Sequence, residues 1–220
     1  MALTWGFGPA AHAEGVEAWT SYEVRVPIDD TASIWPHWLR IANDFRYGTG
    51  YPGIGQALLR VGPIWEPHGA FTLATHLTSS VEQRKPGIFA QEIRAELEPS
   101  VRWRWGDVHV NDRVRIERRA FPDEVRWRLR NRLQFSYQPA GWNWVPFASE
   151  EAFWEGGVYN QNRFSVGVSK PSGPHGRISL GYLLRTKGSA GAAWDQTHAL
   201  TFSFLFSPAI DPLFDDGPSR

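Results

Sequence analysis

Residues Phe89–Trp105 read FAQEIRAELEPSVRWRW. Phe89, Ile93, Ala95, Leu97, Val101, Trp103 and Trp105 are apolar, and Glu92, Arg94, Glu96, Glu98, Arg102 and Arg104 fall between them. After Gly106-Asp107 the pattern returns, with Val108, Val110, Val114 and Ile116 set against His109, Asn111, Arg113, Arg115 and Glu117. It returns again after Phe121-Pro122-Asp123, where Val125, Trp127, Leu129, Leu133, Phe135 and Tyr137 oppose Arg126, Arg128, Arg130 and Arg132. Period two means β-strand, because successive side chains point to opposite faces. These runs reach about a dozen residues, against about 5–6 for ordinary soluble strands. A membrane-crossing strand needs about 9–11 tilted residues with one apolar face.

Working outward, the alternation marks eleven strand candidates: 16–27, 33–46, 54–66, 69–80, 88–105, 107–119, 124–138, 142–155, 161–170, 175–187 and 196–207. Short connections are expected at Pro27–Ala32, Glu66–Gly69, Gly106-Asp107, Gln138–Gly141 and Lys170–Gly176. Longer ones are expected at Tyr47–Gly53, Ser80–Gly87, Gly156–Asn160 and Gly188–Asp195, with Ala120–Asp123 a short exception. The expected fold is all-β: an up-and-down antiparallel transmembrane β-barrel of about 10–12 strands. Bacterial single-chain barrels have even strand numbers. Eleven candidates therefore imply a missing strand near the N-terminus, one false candidate, or a first strand reached through the lumen.

The chain has 220 residues, enough for one domain, with 42% hydrophobic and 21% charged residues and no net formal charge. No apolar run approaches the ~18 residues of a membrane helix. Neutral charge gives no footprint for nucleic acid. The absence of cysteine excludes disulfides, thiolate metal sites and cysteine nucleophiles. Of the 23 basic residues, all but Lys85, Lys170 and Lys187 are arginine. Trp35, Trp65, Trp105, Trp142, Trp154 and Trp194 lie near expected strand ends, where interfacial aromatic girdles belong.

Ala11-His12-Ala13 fits a signal-peptidase site, so 1–13 is expected to be a partial signal peptide and 14–207 the barrel. Residues 208–220, rich in Pro and Asp, are expected to be a disordered tail. His198 to Phe206 alternates aromatics and closes the strand on Phe, which resembles the targeting signal of outer-membrane barrels, although here a tail follows it.

If the apolar face points outward, most arginines point into the lumen. The candidate lumen and anion-binding set is Arg126, Arg128, Arg130 and Arg132 as a ladder, with Arg102, Arg104, Arg113, Arg115 and Arg163. Glu92, Glu96, Glu98 and a carboxylate from Glu150 or Glu151 are expected to neutralise the ladder in part. Arginine suits this role because its planar fork pairs bidentately and stays charged. Two readings remain open: a salt-bridged plug and an anion-holding lumen.

Several pieces of 92–206 resemble a group of bacterial outer-membrane β-barrels, domain of unknown function 2490. They are Arg113-Val-Arg-Ile-Glu-Arg-Arg119, Trp127-Arg-Leu-Arg-Asn-Arg-Leu-Gln134, Ser149-Glu150-Glu151-Ala-Phe-Trp154, Asn162-Arg163-Phe164 with Gly167-Val168, and Leu180-Gly181-Tyr182. The opening Trp19…Glu23-Val-Arg25 is similar as well. The resemblance implies an exported barrel and carries over no catalytic residue.

No Gly-x-Ser-x-Gly elbow occurs, and no cluster has metal-ligand spacing. His76 and His109 are expected inward, and His37 and His198 outward. His76 with Thr78 is the nearest approach to a catalytic dyad. Ser149 shares a face with Glu151 but has no assignable histidine. The expectation is an outer-membrane barrel acting as a narrow anion-preferring channel or a structural envelope protein, with no cofactor, no metal and no catalytic residue. Its expected partners are outer-membrane lipids, the barrel-assembly machinery and small anions. A lipid- or lipopolysaccharide-modifying enzyme and a soluble periplasmic ligand-binding barrel are the alternatives.

Overall fold

The computed structural model describes residues 16–28, 35–48, 54–85, 87–188 and 194–208. The expected leader and residues 209–220 of the expected tail lie outside them. The described chain is entirely strand and turn: β1 (Val16–Pro27), β2 (Trp38–Tyr47), β3 (Ile54–His68), β4 (Phe71–Lys85), β5 (Ile88–Trp105), β6 (Val108–Ala120), β7 (Val125–Tyr137), β8 (Val145–Glu155), β9 (Val158–Pro171), β10 (Gly176–Lys187) and β11 (Asp195–Phe206). Each strand pairs antiparallel with its neighbour in sequence, and β1 pairs with β11 to close the barrel.

That closure is parallel, with Thr20 opposite Phe202 and Tyr22 opposite Phe204. The expectation of an antiparallel barrel is corrected at this one seam. An odd series of alternating strands must start and finish in the same direction. All eleven candidates are strands, so no missing or false strand is needed to explain the parity.

The two rims are named by the chain ends they carry. The N-terminal rim, where β1 begins, holds the connections 48–53, 86–87, 121–124, 156–157 and 188–194. The C-terminal rim, where β11 ends, holds 28–37, 69–70, 106–107, 138–144 and 172–175. Both rims mix tight turns with longer connections, so the expected segregation by loop length is not found. Ser80–Gly87, expected as a long loop, is mostly strand, because β4 runs on to Lys85. The expected Gly156–Asn160 loop shrinks to Gly156-Gly157. Their φ values of 59° and 82° meet the demand of a two-residue hairpin turn for two left-handed residues.

The wall is inside-out relative to a soluble domain. The outward positions of β5, β7, β10 and β11 expose Ile93, Leu97, Leu129, Leu180, Leu200 and Phe202. The buried positions are mostly polar or charged, and among the described residues only Ala42, Leu58, Ile64, Ala74, Val110, Val145, Phe153, Leu183 and Ala199 are buried and apolar. Of these, Val110 belongs to the outward series of β6. The lumen is filled unevenly. β5–β8 send long Arg and Glu side chains inward, while β9–β11 offer Gly167, Gly181, Ser179, Ala199 and Ser203. Phe147 reaches across that small wall: a Cβ on Gly167 would stand 2.7 Å from its ring. Long side chains from one wall thus pack into space left by small ones on the other.

Aromatic clusters mark both rims. Tyr137 meets Trp142 edge-on at the C-terminal rim, with ring centres 6.1 Å apart. Tyr159 lies between Trp154 and Trp194 at the N-terminal rim, at 5.8 and 5.5 Å. The outer wall is not wholly apolar. Asn131 donates to Asp112 (2.6 Å), Asn162 donates to Glu150 (2.8 Å), and Tyr182 bonds His198.

Candidate functional site

Strand register arranges the inward side chains in rows. One row crosses from β5 to β8 as Glu96, Glu117, Arg128 and Glu155, each opposite the next. The next row crosses from β6 to β9 as Arg115, Arg130, Phe153 and Gln161. A third crosses from β6 to β10 as Arg113, Arg132, Glu151, Arg163 and Arg185. Carboxylates dominate the first row. Arginines dominate the third, where four stand in one row with a single carboxylate, Glu151.

Glu117 anchors the middle of this wall. Its side chain has no solvent exposure. It accepts from Arg128 (2.6 Å) and Arg130 (2.8 Å). Glu96, directly opposite, accepts from Arg60 (3.0 Å) and from the Thr78 hydroxyl (2.9 Å), and Arg115 lies 3.5 Å away. Two facing carboxylates are tolerable here only because guanidinium groups surround both. Glu98 accepts from Arg115 and Arg40 and stands 3.6 Å from Arg113. Glu92 is shared by Arg94 and Arg119.

These pairings correct the expected ladder. Arg128 and Arg130 are held by Glu117 and Glu151, not by Glu92, Glu96 or Glu98. The ladder lies on β7, and the β5 glutamates are one strand further off. Glu151, not Glu150, is the inward member of its pair, because Glu150 faces outward to Asn162. Arg126 belongs to the N-terminal rim, pairing with Glu124 and lying 3.5 Å from Glu155, with its side chain half-exposed. Arg104 sits at the opposite rim and donates to the Gly106 carbonyl (2.8 Å), away from the lumen cluster. Arg102 is buried near that same rim and contacts Glu66 (3.4 Å) and the Gly69 carbonyl (3.3 Å). The other candidates face the lumen: Arg113, Arg115, Arg128, Arg130, Arg132, Arg163, Glu92, Glu96, Glu98 and Glu151.

Charge is graded along the barrel axis. Towards the C-terminal rim, Arg25 and Arg40 share Glu23 (2.8 and 3.0 Å), and Glu66 takes Trp38 as well as Arg102. Towards the N-terminal rim there is a cavity of about 450 Å³, lined by Arg46, Arg60, Arg94, Arg113, Arg115, Arg119, Arg128, Arg130, Arg132, Arg163, Arg185 and Lys187. Only Asp44, Glu82, Glu151 and Glu155 oppose them on its lining. The mouth at this rim is a further space of about 830 Å³.

Sequence reasoning missed the aromatic residues inside this cavity. Trp19 lies under three guanidiniums: Arg46 at 4.0 Å, Arg163 at 5.0 Å and Arg185 at 5.7 Å from its ring centre. Phe153, fully buried, underlies Arg163, Arg130 and Arg128 at 4.5, 4.7 and 5.7 Å. Such stacking contributes about 0.5–2 kcal/mol per contact and leaves the charge uncancelled. A signal was present. Trp19 shares its parity with Glu17 and Glu23, and Phe153 with Glu151, so both were due inward.

The histidine expectations can be placed. His76 and His109 are buried in the lumen wall. His76 Nε2 lies 3.1 Å from Arg40, and its Nδ1 is 3.9 Å from Glu96. Thr78 is buried and already donates to Glu96, so this trio offers no accessible nucleophile. Among the described residues no group of three or more His, Asp or Glu could hold a metal ion.

No protein of curated function matches the chain. Residues 16–197, nearly the whole described barrel, match the family described as a protein of unknown function, DUF2490. With its eleven-stranded closed barrel and charged interior, the chain belongs to the DUF2490 family.

Proposed function

We propose that this chain is an outer-membrane β-barrel of the Gram-negative envelope, and that its arginine-rich lumen admits and holds small anions. The observation that carries this reading is the inside-out wall. Apolar side chains are exposed around the barrel, and ion-paired Arg and Glu are buried within it. In water this arrangement would expose the apolar band and bury charge at a cost of several kcal/mol per ion. In a bilayer the same band meets lipid, and the closed sheet leaves no unpaired strand edge. The Trp and Tyr clusters at both rims suit the two interfaces. Lumen polarity and the cationic cavity near one rim support anions over cations. The proposed partners are outer-membrane lipids, the barrel-assembly machinery and small anions.

The test is fractionation of the chain expressed behind a secretion signal, then electrophoresis of boiled and unboiled samples. The expected result is recovery in the outer membrane with a band that shifts on boiling. Reconstitution in a planar bilayer should then give a small current in which chloride outcompetes potassium. A protein released with the periplasm and unaltered by boiling would reject the placement.

A further inference from the structure

We propose that the cavity beneath the N-terminal rim is a binding site for a water-soluble phosphate-type oxyanion carrying at least two charges, gripped by Arg46, Arg163 and Arg185 around Trp19, with Arg132 on the same lining. This deepens the anion-lumen reading and rests on it.

Unmatched charge is the first argument. Arg46 makes no ion pair within 4 Å among the described residues: it stacks on Trp19 and feels Asp44 and Glu82 only at longer range. Arg132 has none either, and its Nε is buried without a hydrogen-bond partner. Arg163 reaches Glu151 at 3.4 Å, but that carboxylate already accepts from Arg113 (2.8 Å) and Arg130 (2.7 Å). Its remaining partner is neutral: the Gln161 amide oxygen, suitably oriented, takes two of its N–H groups. Arg185 is answered by Glu17 at 3.1 Å, and Glu17 also accepts from Trp19 Nε1 at 2.5 Å. Of the other carboxylates on the lining, Glu155 serves Arg119 and Arg126, and Asp44 lies 3.9 Å from Arg60. Glu82 alone stands at the mouth without an ion pair among the described residues. Glu82 and the loosely engaged Asp44 do not balance Arg46, Arg132, Arg163 and Lys187.

Shape and chemistry select the ligand. A guanidinium fork matches two oxygens of a tetrahedral oxyanion, which a halide cannot offer. Arg163 and Arg185 stand directly opposite each other on β9 and β10, and Arg46 stands opposite Trp19 on β2 and β1. The forks therefore come at the cavity from neighbouring strands with the indole between them. A volume of about 450 Å³ suits a small organic phosphate rather than a bare ion. The continuous ring of strand pairs leaves the rim as the way in, so a soluble ligand is favoured over a lipid headgroup. Lys187 and Arg126 line that mouth and would draw anions inward.

The experiment is calorimetric titration of inorganic pyrophosphate into the full chain folded in detergent micelles, in a chloride buffer. The proposal expects one site per barrel with a dissociation constant of millimolar or below. Arg46→Gln and Arg163→Gln should each weaken it about tenfold or more, as loss of a charged hydrogen bond does. Arg46→Lys, which keeps charge but not the fork, should recover only part of it. Arg104→Gln, at the opposite rim, should change nothing. All variants must first keep the heat-modifiable band. Undiminished binding in both Gln variants would overturn the site, as would no binding by a folded barrel. An anion-selective current without pyrophosphate binding would overturn the site while leaving the lumen reading intact. A soluble protein that still binds pyrophosphate would keep the site and overturn the envelope placement.

Discussion

Glu117 shows what one inward residue does in this barrel. It is a lone carboxylate between Arg128 and Arg130, with no exposure to solvent and with Glu96 across the strand. Glu117→Gln would strand the buried Arg128 and leave Arg130 with Glu151 alone, and breaking a buried pair costs about 3–5 kcal/mol. Urea unfolding in micelles should show a loss of that size. Glu150→Gln, which alters an exposed outward carboxylate bonded to Asn162, should stay within about 0.5 kcal/mol. Equal losses in the two variants would mean that the wall is not inside-out. The inward parity of Glu117 is visible in the sequence. Its rank over Glu92, Glu96 and Glu98 as partner of the β7 arginines is not, because that depends on which strand lies alongside.

At the scale of elements, turn and face chemistry make separate demands. Gly156-Gly157 holds two consecutive positive φ values. Gly156→Ala and Gly157→Ala should each cost about 1–2 kcal/mol in the same unfolding assay, since a Cβ disfavours that region. Gly62 is constrained differently: a Cβ there would sit 1.9 Å from the Thr75 carbonyl oxygen, so the β3–β4 approach itself excludes a side chain. The outer face carries its own prediction. Leu180, exposed between Val168 and Phe202, belongs to the apolar band. If that band meets lipid, Leu180→Arg should destabilise the barrel by up to about 2–4 kcal/mol, the mid-bilayer cost of a cation. A folding midpoint unchanged in lipid vesicles would contradict the envelope reading. Alternation made these strands readable to within a few residues at most ends. The run of β4 to Lys85 and the short turn at 156–157 were missed because strand propensity continues through residues that look like loop.

For the molecule as a whole, the parallel β1–β11 seam is the feature to test. The chain has no cysteine, so a pair introduced there reports cleanly. Thr20→Cys with Phe202→Cys places thiols on registered neighbours, and mild oxidation of the folded barrel should link them. Thr20→Cys with Tyr182→Cys, one strand further round, should remain reduced. Linkage of the second pair and not the first would reject the eleven-strand closure. The seam also sends the first and last strands out at opposite rims, and the cationic cavity opens at the rim where β1 begins.

The amino-acid sequence by itself determined the strand series, its division into an apolar and a charged face, and the gathering of arginine on one of them. Each follows from period-two alternation, which is local along the chain. Family membership was readable too, from motifs spread over β6–β10. Tertiary structure decided how the series closes, which carboxylate answers which guanidinium, and where arginine goes unanswered. Those outcomes depend on register between strands far apart in sequence, such as Trp19 beside Arg46 and Arg163 beside Arg185. Alternation specifies a side chain's face but not its neighbour, so the cluster around Trp19 emerges only once the sheet has closed.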